Sequence, residues 1–277
     1  WGFEHFYKDG IEIYSINIPL GRVGHAVLTF FGKWGVRQLY KRIAEDHGNP
    51  DIIHAHFLGI GEMALALKGI ADSRFVMTEH SSQILNTNYL PSWVKNLAPR
   101  IYRNYDKVIG VSPFLVEKMN KNFNANAVYI PNMYDDKTFF GRGRKKKNEN
   151  SSFMFVFVGN LIKSKNPILC IEAFCKAFAD SNFMTPNGGK IILSIVGDGP
   201  ELRTCEATID RLNMRRNVRL LGVLQRTQIS EIMQDSKCFV LPSQYETFGV
   251  VYIEAMACGL PVIATRCGGP DSFINES

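Results

Sequence analysis

The chain has 277 residues, of which 45% are hydrophobic and 21% are charged, a composition typical of globular proteins. A chain of this length can bury a sizeable core, so its fold does not depend on disulfide bonds. The net charge of +6 favours anionic partners such as a sugar nucleotide, a nucleic acid or an acidic membrane surface. Much of the excess lies in one run that is more typical of a solvated loop, namely Arg142, Arg144 and Lys145–Lys147.

The cysteines all lie in the second half of the chain, most of them within apolar stretches, and none forms a Cys-x-x-Cys pair. We interpret them as buried free thiols in the reducing cytoplasm rather than as disulfides or zinc ligands. The sequence shows neither a signal peptide nor a run of about 18 apolar residues, so we expect a soluble or peripheral protein. It begins at Trp1 and stops near the start of a helix, which predicts a fragment lacking both ends.

Short apolar runs alternate with longer amphipathic segments in the first half, a pattern that indicates βαβ units and a parallel sheet. Two prolines, Pro91 and Pro113, each suit the first turn of a helix. The predicted strands are Ile11–Ile18, Asp51–His56, Phe75–Thr78, Lys107–Val111 and Ala127–Ile130. The predicted helices are Lys33–Asp46, Gly61–Gly69, Pro91–Tyr105 and Pro113–Asn122.

The alternation stops over residues 132–152, where almost no periodic apolar residue occurs, and then resumes. The later predicted strands are Phe153–Val158, Ile191–Val196, Val218–Leu221, Cys238–Leu241 and Pro261–Ala264. The later predicted helices are Pro167–Asp180, Pro200–Leu212, Gln228–Asp235 and Phe248–Cys258.

These patterns predict two doubly wound, Rossmann-like α/β domains, over residues 1–135 and 153–277, joined by a basic linker over 136–152. We expect the first domain to lack its first strand and the second to be truncated. Ligands of such sheets bind beyond the carboxyl ends of the strands, which predicts a site in a cleft faced by both domains. The sequence has no Gly-x-Gly-x-x-Gly after a strand and no P-loop motif, which disfavours dinucleotide binding and P-loop kinase activity.

The most informative stretch is Leu241–Pro270, in which a strand, a polar loop and a helix follow one another. Unsatisfied N–H groups at the start of the helix, at Phe248, Gly249 and Val250, predict an anion site suited to a diphosphate. Glu246 precedes this helix and Glu254 lies about two turns into it. Because carboxylates accept hydrogen bonds from sugar hydroxyls, the combination suits a sugar nucleotide.

This stretch resembles the signature of glycosyltransferase family four of the GT-B superfamily. The shared features are a Pro-Ser-x-x-Glu-x-Phe-Gly start, the Glu-x7-Glu spacing and a Glu-Ala-Met-Ala-x-Gly-x-Pro-Val finish. The resemblance covers most of the chain and is densest from Phe153 to Pro270. Five further motifs of the family occur in the expected order along the chain: Val111-Ser-Pro, Ile130-Pro-Asn, Val158-Gly-Asn-Leu-Ile-Lys-Ser-Lys-Asn, Val196-Gly-Asp-Gly-Pro-Glu-Leu and Leu221-Gly-Val-Leu.

The resemblance implies a GT-B fold and retaining transfer of a sugar from a nucleotide-diphosphate sugar, with no metal and no cofactor. By the same resemblance, Glu246 binds donor hydroxyls, Glu254 binds the ribose and Lys165 binds phosphate. The turn Gly197-Asp-Gly-Pro, which includes Gly199, would line the nucleotide side. The family usually has an arginine after the glycine matching Gly159; here Asn160 stands there, so one cation near the leaving phosphate is missing, for which Lys163 would be the substitute.

His80 follows a predicted strand and matches the histidine that many relatives place against the reacting sugar. We therefore assign it to the site, with a capping or core-edge histidine as the alternative. His54 and His56 alternate along one strand, but without a third ligand we interpret them as structural. Asp135 and Asp136 are better suited to a turn than to a metal.

We expect a hexose-type sugar to be moved to a glycan or lipid-linked acceptor, with no nucleic-acid partner. Lys33, Arg37, Lys41 and Arg42 recur at helical spacing and could meet an anionic membrane, although a plain solvated face is the simpler interpretation. Two other functions stay open: a sugar-nucleotide-binding protein without turnover, which Asn160 favours, and a GT-B-fold epimerase acting on a nucleotide sugar. Glu246 and Glu254 also have ordinary structural interpretations, as a loop carboxylate and a salt-bridge partner.

Overall fold

The computed structural model describes residues 2–85, 90–141 and 152–275, apart from the side chain of Trp93. The chain divides into two compact units, Trp1–Ile130 and Pro131–Ser277. Residues 131–141 therefore group with the second unit. Most of the basic stretch in the predicted linker, residues 142–151, lies outside the described residues.

The first unit is built around a parallel sheet whose strands follow the order β3-β4-β5-β6. Helices follow β3, β4 and β5, as expected for right-handed crossover units. Its strands are β1 (Gly2–Lys8), β2 (Ile11–Asn17), β3 (Ile52–His56), β4 (Arg74–Glu79), β5 (Lys107–Gly110) and β6 (Val128–Tyr129). Its helices are α1 (His25–His47), α2 (Leu58–Ala64), α3 (Ser92–Tyr102) and α4 (Pro113–Phe123).

An antiparallel hairpin joins β1 to β2, with Lys8 opposite Ile11 across the turn. The turn residues Asp9 and Gly10 have φ values of 53° and 77°, as a type I′ turn requires. The sequence predicted β2 but not β1. Every residue of β1 is exposed, so the strand has no buried face and no alternation of apolar residues that would reveal it.

Three helix starts of the first unit differ from the predictions, including that of α2, which begins at Leu58 rather than at Gly61. Helix α1 begins at His25 rather than Lys33, because its first turns carry exposed apolar side chains, Val27, Leu28 and Phe30, which hide the amphipathic period. Pro91 lies just before α3 as its capping residue, whereas Pro113 occupies the first turn of α4, as predicted. The Ser112 hydroxyl caps α4 by accepting the Leu115 N–H at 3.1 Å.

The second unit contains a sheet with strand order β11-β10-β7-β8-β9, all pairs parallel. Every residue of β8 is buried, as expected for a central strand covered on both faces. The strands are β7 (Phe153–Val158), β8 (Ile191–Val196), β9 (Val218–Leu220), β10 (Cys238–Leu241) and β11 (Val262–Ala264). The helices are α5 (Pro167–Phe178), α6 (Leu202–Arg211), α7 (Arg226–Asp235) and α8 (Val250–Ala257).

Helix α8 begins at Val250 and not at Phe248 as predicted. Gly249 precedes it with φ 81° and ψ 64°, a left-handed conformation that ends the regular helix there. Phe248 is instead buried in the loop, where its ring lies 5.2 Å from that of Phe273. Glu254 is consequently little more than one turn into the helix rather than two.

Hydrogen bonds link the loops that follow β7, β8 and β9 at the carboxyl edge of this sheet. The N–H of Gly159 donates to the Val196 carbonyl at 3.0 Å, and the N–H of Gly197 donates to the Gly222 carbonyl at 2.8 Å. Gly197 has φ 137°, and a Cβ there would overlap the carbonyl oxygen of Gly159. A residue with a side chain would therefore push these loops apart.

We expect Gly197→Ala to lower the free energy of unfolding by roughly 2–5 kcal/mol, because backbone strain and overlap with Gly159 add together. The matched control is Gly188→Ala, since Gly188 also has a positive φ, 79°, but open space around its Cβ position. Strain alone should cost the control about 1–2 kcal/mol. Urea unfolding of both variants checks this, and equal losses would contradict the close approach of the loops.

Candidate active site

Glu246 is held at the carboxyl edge of the second unit's sheet. Its side chain is buried, and its Oε1 accepts hydrogen bonds from the Ser243 hydroxyl at 2.9 Å and from Lys165 Nζ. Its backbone N–H donates to the Cys267 carbonyl at 2.8 Å, and its carbonyl accepts the Gly269 N–H at 2.9 Å. The structure therefore brings Glu246 and Lys165 together from loops that are 81 positions apart in sequence.

The loop after β7 is tied to the loop after β10, which fixes where Lys165 stands. Lys165 ends a 3-10 turn, and Asn166 follows it with φ 51°. The Asn166 side-chain amide donates to the Pro242 carbonyl at 2.9 Å, and the Gln244 N–H donates to the Ser164 carbonyl at 2.8 Å. Asn166 is a positioning residue that the sequence analysis missed, although an asparagine before a proline-initiated helix is a turn signal.

Glu254 lies on α8 with 7% of its surface exposed. Its Oε1 accepts a hydrogen bond from Arg226 Nη2 at 3.0 Å. Burial raises the pKa of the Glu254 carboxyl, and the positive charge of Arg226 opposes that rise. Arg226 begins α7, and no sequence motif pointed to it.

The N-terminus of α8 is a candidate anion site. The first N–H groups of a helix have no intrahelical acceptor, so those of Gly249, Val250 and the preceding Phe248 suit an anion. A Cβ on Gly249 would come within 2.5 Å of Tyr252 Cδ2, so only glycine fits there. The Tyr252 hydroxyl donates to the Leu241 carbonyl at 2.8 Å and anchors the helix to β10.

The predicted glycine loops lie side by side at the same edge of the sheet. Besides the contact between Gly159 and Gly197, a Cβ on Gly199 would come within 2.5 Å of the Leu161 carbonyl oxygen. Asn160 lies between Gly159 and Leu161, which make these two close approaches. Asn160 is exposed, and its carbonyl accepts the Ile162 N–H at 2.9 Å. The position that usually carries an arginine thus faces solvent here.

In the first unit, a buried carboxylate holds the loop that carries His80. Glu79 is fully buried and accepts hydrogen bonds from the N–H groups of Leu58 at 3.1 Å, His80 at 3.0 Å and Ser81 at 2.8 Å. Burial raises the pKa of the Glu79 carboxyl, whereas these backbone donors lower it. Glu79 therefore joins the end of β4 to the start of α2, a role the sequence analysis did not identify.

Three histidines lie together at the carboxyl ends of β3 and β4. His56 Nδ1 and His80 Nε2 are 2.9 Å apart, and the rings of His54 and His56 are 4.4 Å apart. His54 Nε2 also lies 2.8 Å from the Thr78 hydroxyl. His54 and His56, interpreted above as structural, are thus neighbours of the predicted site residue His80.

Asp135 closes a turn, as its sequence context predicted. Its carboxylate accepts hydrogen bonds from the Thr138 hydroxyl at 2.5 Å and from the Lys137 N–H at 3.1 Å. Across the described part of the chain, no group of three or more His, Cys, Asp or Glu side chains is arranged to hold a metal ion. None of the helices in that part combines the length and apolar character that crossing a bilayer requires.

Two family models together match almost the whole chain. The model described as Glycosyltransferase Family 4 matches residues 4–138. The model described as Glycosyl transferases group 1 matches residues 140–277.

Named relatives match most of this chain but extend beyond it. The chain is 30% identical over 240 residues to the N-acetyl-alpha-D-glucosaminyl L-malate synthase of Bacillus anthracis, a match covering 82% of this chain and 60% of that protein. It is 28% identical over 258 residues to the UDP-Gal:alpha-D-GlcNAc-diphosphoundecaprenol alpha-1,3-galactosyltransferase of Escherichia coli, covering 86% and 63%. The chain thus spans about 60% of the length of these curated relatives.

Solved structures of other glycosyltransferases share the fold. Sucrose-phosphate synthase from Thermosynechococcus elongatus matches with a TM-score of 0.75 at 22% identity, covering 96% of this chain and 68% of the other. The catalytic domain of starch synthase IV from Arabidopsis thaliana matches with a TM-score of 0.73 at 15% identity, covering 99% and 70%. With its two Rossmann-like units and both family models, the chain belongs to glycosyltransferase family four of the GT-B superfamily.

Proposed function

We propose that the protein is a retaining, metal-independent glycosyltransferase that moves a hexose-type sugar from a nucleotide-diphosphate sugar to a glycan or lipid-linked acceptor. The observation that carries this proposal is the pairing of Lys165 with Glu246 beside the N-terminus of α8. A cation, an acceptor of sugar hydroxyls and a row of helix N–H groups then lie on neighbouring loops of one sheet edge. The names of the relatives, which include a galactosyltransferase and a glucosaminyl L-malate synthase, support the same class of reaction.

The donor's diphosphate would bind the N–H groups of Phe248, Gly249 and Val250, with Lys165 as the counter-charge. Both described contacts of the Glu246 carboxylate fall on Oε1, so Oε2 keeps its lone pairs for a sugar hydroxyl. Glu254 would accept hydrogen bonds from the ribose. The glycine loops at Gly159, Gly197 and Gly199, with Asn160 between them, would let the nucleotide approach the backbone without a Cβ in the way.

For the chemical step, we propose a same-face displacement. The bond between the anomeric carbon and the diphosphate oxygen breaks, and its electron pair stays on the diphosphate. The acceptor oxygen bonds to the same face of the anomeric carbon and passes its proton to the departing diphosphate oxygen. The protein's contribution is orientation of the two reactants and stabilisation of the leaving diphosphate by Lys165 and the helix N–H groups.

His80 is proposed to contact the reacting sugar as a neutral imidazole. Its burial lowers the pKa of the imidazole, and the neighbouring His56 and His54 lower it further by charge repulsion. A neutral ring donates through one nitrogen and accepts through the other, and because Nε2 lies 2.9 Å from His56 Nδ1, Nδ1 is the nitrogen that would meet a sugar hydroxyl.

Contact with an anionic membrane is proposed for the first unit. Helix α1 exposes Phe30 and Trp34 and also carries basic residues, a combination suited to a lipid surface. The relatives that act on lipid-linked acceptors include the Escherichia coli galactosyltransferase. The cytoplasmic side of the membrane suits the free cysteines of the chain. The basic residues concerned are Lys33, Arg37, Lys41 and Arg42.

Two measurements distinguish transfer from the other functions. A screen of nucleotide sugars by thermal unfolding identifies the donor, because a ligand at about 100 times its Kd stabilises the folded state by roughly 2.7 kcal/mol. Release of nucleoside diphosphate that requires an acceptor supports a transferase. Tight donor binding without such release would instead support a non-catalytic binding protein, and epimerisation without an acceptor would support an epimerase.

Glu246→Gln should reduce the transfer rate at least about 100-fold, because the substitution removes the negative charge that strengthens the bonds to sugar hydroxyls and that pairs with Lys165. The Kd for the nucleoside diphosphate should change less than about threefold, since the helix N–H groups remain. Steady-state kinetics and calorimetry measure the two effects. Glu172→Gln is the matched control, because Glu172 also pairs with a cation, Arg211, on an exposed helix face. Unchanged transfer by Glu246→Gln would show that the site is assigned wrongly.

The His80 imidazole should titrate below the value of about 6.5 that is usual for histidine, so that it is neutral at pH 7. Because the folded-state pKa is lowered, the stability that His80 contributes is present above pH of about 6.5 and is lost as pH falls through the folded pKa. NMR titration of the folded protein, with the His80 signal assigned by His80→Gln and the denatured protein as reference, measures this. A folded pKa at or above the denatured value would contradict it.

A further inference from the structure

Arg226 contacts a candidate donor-binding group although the family resemblance assigned it no role. Its Nη2 lies 3.0 Å from Glu254 Oε1. Arg226 is the first residue of α7, where Gln225 and Gln228 form a capping box that fixes the start of the helix. The backbone that carries the guanidinium is therefore well defined.

The guanidinium is held from a second side by the segment of residues 135–139. Its Cζ lies 5.1 Å from the centre of the Phe139 ring, which is buried. That segment is attached to α7, since the Ser230 hydroxyl donates to the Thr138 carbonyl at 2.7 Å. A guanidinium that lies over a ring and donates to a carboxylate presents its N–H groups from a planar fork, which a lysine ammonium lacks.

The charges around Glu254 make Arg226 the group that favours its carboxylate. Burial raises the pKa of the Glu254 carboxyl and the negative charge of Asp135 adds to this, whereas Arg226 acts in the opposite direction by charge and by hydrogen bonding. Arg226 also helps to lower the pKa of Asp135. The charge of Arg226 thus favours the ionised form of two carboxyl groups, Asp135 in the 135–139 segment and Glu254 on α8.

The described contact occupies one oxygen of Glu254. A carboxylate offers about four lone-pair positions, so Oε2 and the remaining site on Oε1 stay open to ligand hydroxyls. The Glu254 side chain is 10% exposed and the Arg226 side chain 60% exposed, which gives the pair one face toward solvent. Because Glu254 is buried, losing Arg226 would also leave that carboxylate without its described cation, so a role in the donor site must appear as a loss of affinity specific to the ribose hydroxyls.

We propose that Arg226 is a positioning residue of the donor site, which orients the Glu254 carboxylate toward the 2′- and 3′-hydroxyls of the nucleotide's ribose. This inference rests on the proposed function, in which Glu254 meets the ribose. It adds a residue that acts through Glu254 and selects ribose over sugars that lack the two hydroxyls.

The test is a binding cycle with two probes, measured by calorimetry. UDP, GDP and ADP are tried first, and the one that binds is compared with its 2′,3′-dideoxy analogue. Arg226→Gln should weaken binding of the nucleoside diphosphate about tenfold, while binding of the dideoxy analogue changes less than about twofold. Arg226→Lys keeps the charge but not the planar guanidinium, so its affinity for the nucleoside diphosphate should lie between those of wild type and Arg226→Gln. Arg211→Gln is the matched control, because Arg211 is also 60% exposed and paired with a glutamate, and it should leave both affinities unchanged.

The outcomes separate this inference from the proposed function. If wild type binds none of the three nucleoside diphosphates, the proposed function fails. If wild type binds and prefers the ribose form, and Arg226→Gln keeps that preference or weakens both probes equally, Arg226 is not a positioning residue for the ribose. If wild type binds both probes equally, the ribose contact of Glu254 and this inference are both wrong, whereas the diphosphate site stands. Unfolding midpoints of all variants, expected within a few degrees of wild type, show that the differences arise at the site.

Discussion

The contact between Lys165 and Glu246 is the interaction on which the candidate site depends. It joins the loop after β7 to the loop after β10, and these strands are neighbours in the sheet. A mostly buried ammonium and carboxylate stabilise each other. Removing either one would leave the other charge desolvated and without an ionic partner, which destabilises the folded state. The bonds from Asn166 to Pro242 and from Gln244 to Ser164 hold the two loops at the distance that the pair requires.

Close backbone approach makes the same edge of the sheet suitable for a nucleotide. Gly197 and Gly199 allow the loop after β8 to lie against the backbone of residues 159–161, and Gly249 turns the chain into α8. These glycines place no Cβ between a bound anion and the neighbouring backbone N–H groups. Two cations lie at this proposed site: Lys165 on the phosphate side and Arg226 in contact with Glu254. The position where the resemblance led us to expect a third cation is occupied by the uncharged Asn160.

The sequence was sufficient for features that follow from local chemistry. The parallel strands of both units lie within a few residues of their predicted bounds, since long apolar runs between turn residues are strong signals. The sequence was insufficient where a feature depends on a contact between residues far apart in the chain, or where a strand has no buried face. β1 is exposed along its length, Gly249 delays the start of α8, and neither the Arg226 contact with Glu254 nor the His56 contact with His80 follows from spacing along the chain. Such pairs depend on which strands become neighbours, which no short motif specifies.

The central claim is that the loops around Glu246 and the start of α8 bind a nucleotide-diphosphate sugar. Amide hydrogen exchange with and without a bound nucleoside diphosphate tests this most directly, because it reports every loop of the sheet edge in one experiment. The account predicts slower exchange at residues 247–251, 159–161 and 197–199, and unchanged exchange in the β1–β2 hairpin. Saturating nucleotide that leaves residues 247–251 unprotected, or that protects a different surface alone, would contradict it.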